Sequence, residues 1–302
     1  MLSLIAGRAS ADHVTELFVS DTKLGLDHGD PNQVGSIAWA LSHAEEAGGM
    51  VRLGPGVFNT SSAIRVNSNV MLVGSGMATQ IRQWNNDSHG VIVDGQSLSV
   101  RDFSVEMPTG SSGGYAGVAF GSESAVNHLA ASNLKVTGGN LASWGFIVDQ
   151  HYNSKFSRFL LDSKGSSLPA VNGMLIHNSK SSFNTGDSEY TSIAFRIKSG
   201  AIGLKIISDN TGNSSGTIND NTFTNVQVLG NNDGAEQGFV LEDTVKRNTF
   251  ITCDSEACNV NWHIKGVTCI DNIFINAQAF GGTSLITVPP MSANTFIGGN
   301  IS

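Results

Sequence analysis

Hydrophobic positions along this chain fall into two regimes. Near the start, Ile37, Ala40, Leu41 and Ala44 recur at helical spacing within QVGSIAWALSHAEEAGG, and Gly48 and Gly49 close the run. This predicts one amphipathic helix over residues 34–47 with a glycine C-terminal cap. Helical periodicity then stops. VRLGPGVFNTSSAIRVNSNVMLVGSG and the stretches after it are short β-branched runs punctuated by Gly, Asn and Ser, the pattern of strands joined by tight turns.

Two short words alternate along most of the remainder. One is a small residue leading a strand: GVIVD at Gly90, GVAFG at Gly117, GFIVD at Gly145, GMLIH at Gly173, GLKII at Gly203, GFVLE at Gly238 and NWHIK at Asn261, spaced 27, 28, 28, 30, 35 and 23 residues apart. The other sets an aromatic or apolar residue two positions before a polar turn residue, with an apolar-x-apolar strand after it. It reads FTNVQV from Phe223, FITCDS from Phe250, FINAQA from Phe274 and FIGGNI from Phe296, and extends back through YTSIAF, FSRFLL, ASNLKV and VRDFSV. A turn of roughly 22 to 35 residues is too short for a βαβ crossover with its helix and suits one coil of two or three strands. The fold expected is all-β: a right-handed parallel β-helix of about nine to ten coils with a short N-terminal capping helix. Residues 1–26 read as an arm or attachment segment, 27–49 as the cap and 50–302 as the solenoid. The polar turn residues Asp102, Asn133, Ser192, Asn225, Thr252 and Asn276 form one column, where side-chain amides could stack.

Composition narrows the functional classes. Charged residues are 14% of the chain and Gly numbers 35, as expected of a turn-rich β protein. The net charge of −8 argues against a nucleic-acid partner and disfavours a strongly anionic polysaccharide. No stretch approaches the roughly 20 apolar residues of a membrane-spanning helix. Met1 to Ala11 lacks a basic leader region and Arg8 interrupts its apolar run, so no signal peptide is expected. Cys253, Cys258 and Cys269 lack metal spacing and read as reduced core or turn thiols, with one disulfide pair as the lesser alternative. The loop from Asn231 to Glu236 carries calcium-type oxygens without the rest of a site. Neither a metal nor another cofactor is expected.

The segment DHGDPNQVGSIAWALSHAEEAGGMVRLGPGVF, followed by VMLVGSGMATQI, resembles the N-terminal signature of the pectate-lyase-superfamily domain found in phage tailspikes. The resemblance covers residues 27 to about 82 by motif and the remainder by period. It departs from the family pattern at Asp30-Pro31-Asn32-Gln33 and at Phe58, where tyrosine is usual. It implies a β-helix whose N-terminal helix covers the open end of the stack, a carbohydrate partner and a homotrimer. The fold also hosts lyases, hydrolases, epimerases and inert binders.

Strand alternation assigns faces. In the Gly-led word, Ile92, Ala119, Ile147, Leu175, Lys205 and Val240 point outward, an apolar stripe on which Ile92, Ile147, Leu175 and Val240 are the expected trimer contacts. The next outward column holds Asp94, Asp149, His177 and Glu242, with Asp149, His177 and Glu242 as candidate acid and base groups. In the second word one outward column contains Lys135 and Asp254, and the next contains Glu106, Asp162, Arg196 and Glu256. Glu106 and Asp162, two coils and ~9.6 Å apart, approach an inverting glycosidase separation. Lys135, Arg196, Asp254 and Glu256 are the expected substrate-binding groups. On both faces a solvated or paired solenoid surface is the competing reading.

Together these features point to a phage or prophage tailspike-like protein, located on the virion, that binds a host surface polysaccharide, with hydrolysis favoured over elimination if it cleaves. A virion or adaptor protein at the N-terminus is a further expected partner. The alternatives are a non-enzymatic structural or adhesive β-helix and a secreted polysaccharide lyase.

Overall fold

The computed structural model describes residues 16–21, 25–163, 170–179, 184–208, 216–231, 236–282, 284–288 and 293–301. Among them every strand pair in the three sheets is parallel. Sheet A has sixteen strands, sheet B nine and sheet C five short ones. In the middle of the stack, from Val126 to Lys246, each coil passes from C to A to B. Val126–Asn127 leads to Ala130–Gly138 and Trp144–Asp149, and the next coil repeats with His151–Tyr152, Lys155–Asp162 and Asn172–Asn178.

The helix, α1, spans Ile37–Ala47. It begins later than its apolar pattern because Ser36 caps it, its hydroxyl accepting the Trp39 N–H at 2.9 Å. Gly48 ends it in the left-handed conformation, φ 66°. Ile37, Ala40, Leu41 and Ala44 are buried in the main core, so α1 covers the first coil and shields apolar surface there. Within the expected N-terminal arm, Glu16–Val19 is a strand that pairs with Met50–Leu53. No helix among the described residues is long and apolar enough to cross a membrane.

The polar turn column has a backbone cause. Asp102, Asn133, Ser192, Asn225, Thr252 and Asn276 all have positive φ, between 49° and 65°, and Arg158 joins them at 55°. Each puts one left-handed residue into a sheet A strand, which bends the strand and shifts its alternation. Phe156, Phe159 and Leu161 all face inward although their spacing is three and then two. Asn133 donates to Asp102 at 2.7 Å. The longer amide ladder lies elsewhere, two residues before each aromatic. Asn221 donates to Asn248 at 3.0 Å, Asn248 to Asn272 at 3.1 Å and Asn272 to Asn294 at 3.0 Å. The same amides satisfy carbonyls of Ile218, Val245 and Cys269.

Beside that ladder runs an aromatic stack. Rings of Phe156, Tyr190, Phe223, Phe250, Phe274 and Phe296 follow one another at 4.8, 4.6, 4.7, 4.9 and 4.5 Å, close to the ~4.8 Å between paired strands. The Tyr190 hydroxyl and His151 Nε2 are hydrogen-bonded at 2.7 Å. Burial pushes the His151 imidazole down to about 3. The three cysteines are free and buried, and burial pushes the Cys253 and Cys269 thiols up to about 12.

Two outcomes follow from this core. Asn248→Ala removes a rung that both donates and accepts, so it lowers the unfolding free energy by roughly 2–3 kcal/mol in urea titration; a loss near zero would mean the ladder is dispensable. His151 is neutral in the folded state and gains a proton on unfolding below its ordinary value of 6.5, so stability falls as pH drops from about 6.5 towards 3. Replacing both His151 and Tyr190 by Phe reduces that acid slope by about 1.4 kcal/mol per pH unit; an unchanged slope would contradict the assignment.

Candidate functional site

On sheet B the outward register is Arg65, Ile92, Ala119, Ile147, Leu175, Lys205, Val240 and His263. Its apolar members are covered within the single chain. Ile92 is 4% exposed, Ile147 8%, and Ala119 and Val240 are fully buried, while Leu175 is half-buried. Ile92, Ala116, Ala119 and Ile147 form a second small cluster, flanked by Ala63, Trp144 and Leu175. The stripe expected to meet another chain is thus largely shielded by its own neighbours, and the observation that suggested a trimer contact there is removed.

The adjoining carboxylates are occupied. Asp149 accepts the Ser179 backbone N–H at 3.0 Å and the Ser179 hydroxyl at 2.5 Å, fixing the turn of the next coil. Asp94 accepts the Glu123 N–H at 3.4 Å in a parallel role. His177 lies beside Asp149 in register. Glu242 is held by Lys205 at 2.8 Å and Lys265 at 3.9 Å; burial works to raise its pKa, but the two lysines carry it below the ordinary value. As the structure stands, Asp149 and Glu242 serve turn geometry and charge pairing.

Sheet A presents two outward columns. The first runs Gln80, Ser104, Lys135, Leu160, Ala194, Gln227, Asp254, Gln278 and Asn300. In the second, Arg82 pairs with Glu106 in register, Asp162 with Arg196, Arg196 with Leu229, Leu229 with Glu256 and Glu256 with Phe280. Glu106 is closed by Arg82 at 2.7 Å and Gln80 at 2.7 Å, and Asp162 meets Arg196 at 3.6 Å. Exposed pairs of this kind contribute only about 0–1 kcal/mol, yet each engages a carboxylate that was expected to be free. Arg196 lies against Asp162, and Lys135 stands between Ser104 and Leu160.

Asp254 and Glu256 behave differently. They share the outward face of the strand Asp254–Glu256, with Ser255 buried between them. Asp254 Oδ1 is buried without a hydrogen-bond partner. Burial first, and then the charge of Glu256, raise its pKa. Glu256 is exposed. Two residues along a strand put their Cα atoms about 6.6 Å apart, with both side chains leaving the same face of the strand. Amide side chains of Gln227 and Gln278 flank Asp254, and Leu229 and Phe280 flank Glu256. The arrangement sets a carboxyl whose protonated form burial favours beside an exposed one.

Tyr190 and Trp262 are interior, and Trp144 belongs to the second apolar cluster. Trp84, which the repeat pattern did not single out, is 64% exposed directly after the strand Thr79–Gln83, beyond Arg82. It follows the last apolar residue of its own run, a position at which nothing inward remains to be filled. The acidic loop 231–236 lies largely outside the described residues, and among those residues no cluster of three or more metal-type ligands occurs.

No family model matches the sequence, and no curated protein matches it. Solved structures do. A protein of Geobacillus virus E2, the product of open reading frame 18, is 16% identical with a TM-score of 0.50, the match covering 92% of this chain and 59% of that one. A tailspike protein mutant of the E. coli bacteriophage HK620, in complex with a pentasaccharide, is 12% identical over 92% of this chain and 64% of that one, TM-score 0.48. The A-module of a mannuronan C-5 epimerase from Azotobacter vinelandii is 14% identical over 90% and 97%, TM-score 0.39. The chain has a right-handed parallel β-helix fold. It spans 59% of the length of the viral protein whose fold it shares.

Proposed function

We propose that the chain is a tailspike-like protein that binds a surface polysaccharide along the outward face of sheet A and hydrolyses it at Asp254 and Glu256. The observation that carries the reading is the unpartnered, partly buried Asp254 carboxyl beside an exposed Glu256. In this scheme Asp254 protonates the glycosidic oxygen as the bond to the anomeric carbon breaks. Glu256 takes a proton from the water that attacks that carbon from the opposite side. Gln227 and Gln278 present neutral donors and acceptors to sugar hydroxyls, and Phe280 and Trp84 offer aromatic faces. The opening motif and a fold shared with a virus protein support a place on a virion.

A second reading, a non-catalytic adhesive β-helix, draws on the closure of Glu106 and Asp162 by arginines and of Glu242 by lysines. A panel of bacterial capsule and lipopolysaccharide glycans separates the two. The expected result is new reducing ends without the ultraviolet absorbance of unsaturated uronates. Asp254→Asn lowers kcat by about 10²–10⁴-fold and melts no lower than the parent at neutral pH, because it removes a carboxylate whose ionisation burial opposes. Asp149→Asn and Asp162→Asn retain turnover. The rate falls as pH rises through the raised Asp254 pKa. Full activity in Asp254→Asn would remove the site, and binding without products would favour the adhesive reading.

A further inference from the structure

A cleft of about 560 Å³ lies far around the coil from the sheet A carboxylates, between α1 and the outward side of the first sheet B strands. Its floor is Ile92 and Ala63, one wall is Ala38 and Ser42 of the helix, and the other is His89 and Tyr115 from the loops after the strands Thr79–Gln83 and Ser99–Met107. Its size falls within the ordinary range for small-ligand sites. The floor is the start of the apolar stripe, so its character follows from the register that puts Ile92 above Arg65.

The polar groups of the cleft are fixed. His89 Nδ1 accepts the Ala116 N–H at 3.0 Å, which sets the tautomer and leaves Nε2 as a donor. The ring meets Tyr115 edge-on at 5.2 Å. Burial pushes the His89 pKa down to about 4, against a weaker upward pull from Glu123, so the imidazole is neutral at physiological pH. Arg65 is closed by Glu123, and Glu45 accepts from Asn67 at 2.8 Å. Three carboxylates, Glu45, Asp87 and Glu123, and one guanidinium, Arg65, line the cleft.

This combination selects a ligand class. Excess carboxylate repels an anion, and the single guanidinium is already spent. An apolar floor beside a tyrosine suits the hydrophobic face of a pyranose ring, while a neutral N–H donor and carboxylate acceptors around the rim suit its hydroxyl groups. We infer that the cleft between α1 and the first coils is a second saccharide-binding site, specific for uncharged sugar units and separate from the face carrying Asp254 and Glu256. It does not depend on catalysis at that face.

The test is saturation-transfer NMR on the full chain with methyl glycosides of glucose, galactose, mannose and N-acetylglucosamine, and with glucuronic acid as the anionic comparison. Ser42→Trp, on an exposed helix position, fills the cleft without removing a buried group, and Tyr115→Ala removes the ring wall; thermal melting verifies that both fold. The expected result is transfer from at least one neutral glycoside, weakened about tenfold or more in Kd by either variant and unchanged in Asp254→Asn. Transfer that survives Ser42→Trp, transfer lost only in Asp254→Asn, preference for glucuronic acid, or no transfer from any neutral glycoside would each overturn the inference.

Discussion

The constraint on which the structure depends is the spacing between hydrogen-bonded parallel strands. Each residue of a paired strand stands ~4.8 Å from its equivalents in the coils above and below. An inward position therefore has to be filled by something that packs against a copy of itself. Aromatic rings do this by stacking, as from Phe156 to Phe296. Asparagine does it by passing one amide hydrogen to the next amide oxygen, as from Asn221 to Asn294. A buried polar group without such a partner would cost about 1–3 kcal/mol, so the ladder tolerates few exceptions. Where the amide column changes identity, serines continue it: the Ser188 N–H donates to Asn221 Oδ1 at 3.2 Å and the Ser154 N–H to the Ser188 hydroxyl at 3.0 Å.

The same spacing governs the outside, with a different result. Charges one coil apart either attract or repel, and most here alternate in sign. Arg82 meets Glu106, Asp162 meets Arg196, and Lys205, Glu242 and Lys265 form a run. Such pairing is inexpensive in solvent. Asp254 is the exception that gives the face its chemical interest. Its neighbours in register are glutamines, which cannot neutralise it, and the nearest charge along its own strand is another carboxylate. Burial and repulsion act together there to favour the protonated form.

Registers were legible in the sequence because each word carries its own inward markers. The outward columns through Ser104, Lys135 and Gln227, and through Asp149 and His177, run in the structure as alternation assigns them. The left-handed residues were legible as polar turn positions, though their bend, rather than side-chain stacking, proves to be their main effect. The Asn-x-Phe sequence at residues 221, 248, 272 and 294 was equally visible and marks the actual amide ladder. Charge partners were harder to read. Arg82 lies before the second word becomes regular, and Ser179 lies in a turn outside either word. The burial of Ile92 and Ile147 involves Ala63, Trp144 and Leu175, which pack against their cluster.

Stereochemistry tests the central claim most directly. A mechanism in which Asp254 is the acid and Glu256 the base that activates water passes through no covalent glycosyl intermediate. Proton NMR during the first moments of cleavage, before mutarotation, reports the anomeric configuration of the new reducing end. The account predicts inversion relative to the glycosidic bond cleaved. Retention, or an unsaturated uronate in place of a hydrated sugar, would contradict the assignment of Asp254 as acid and Glu256 as base.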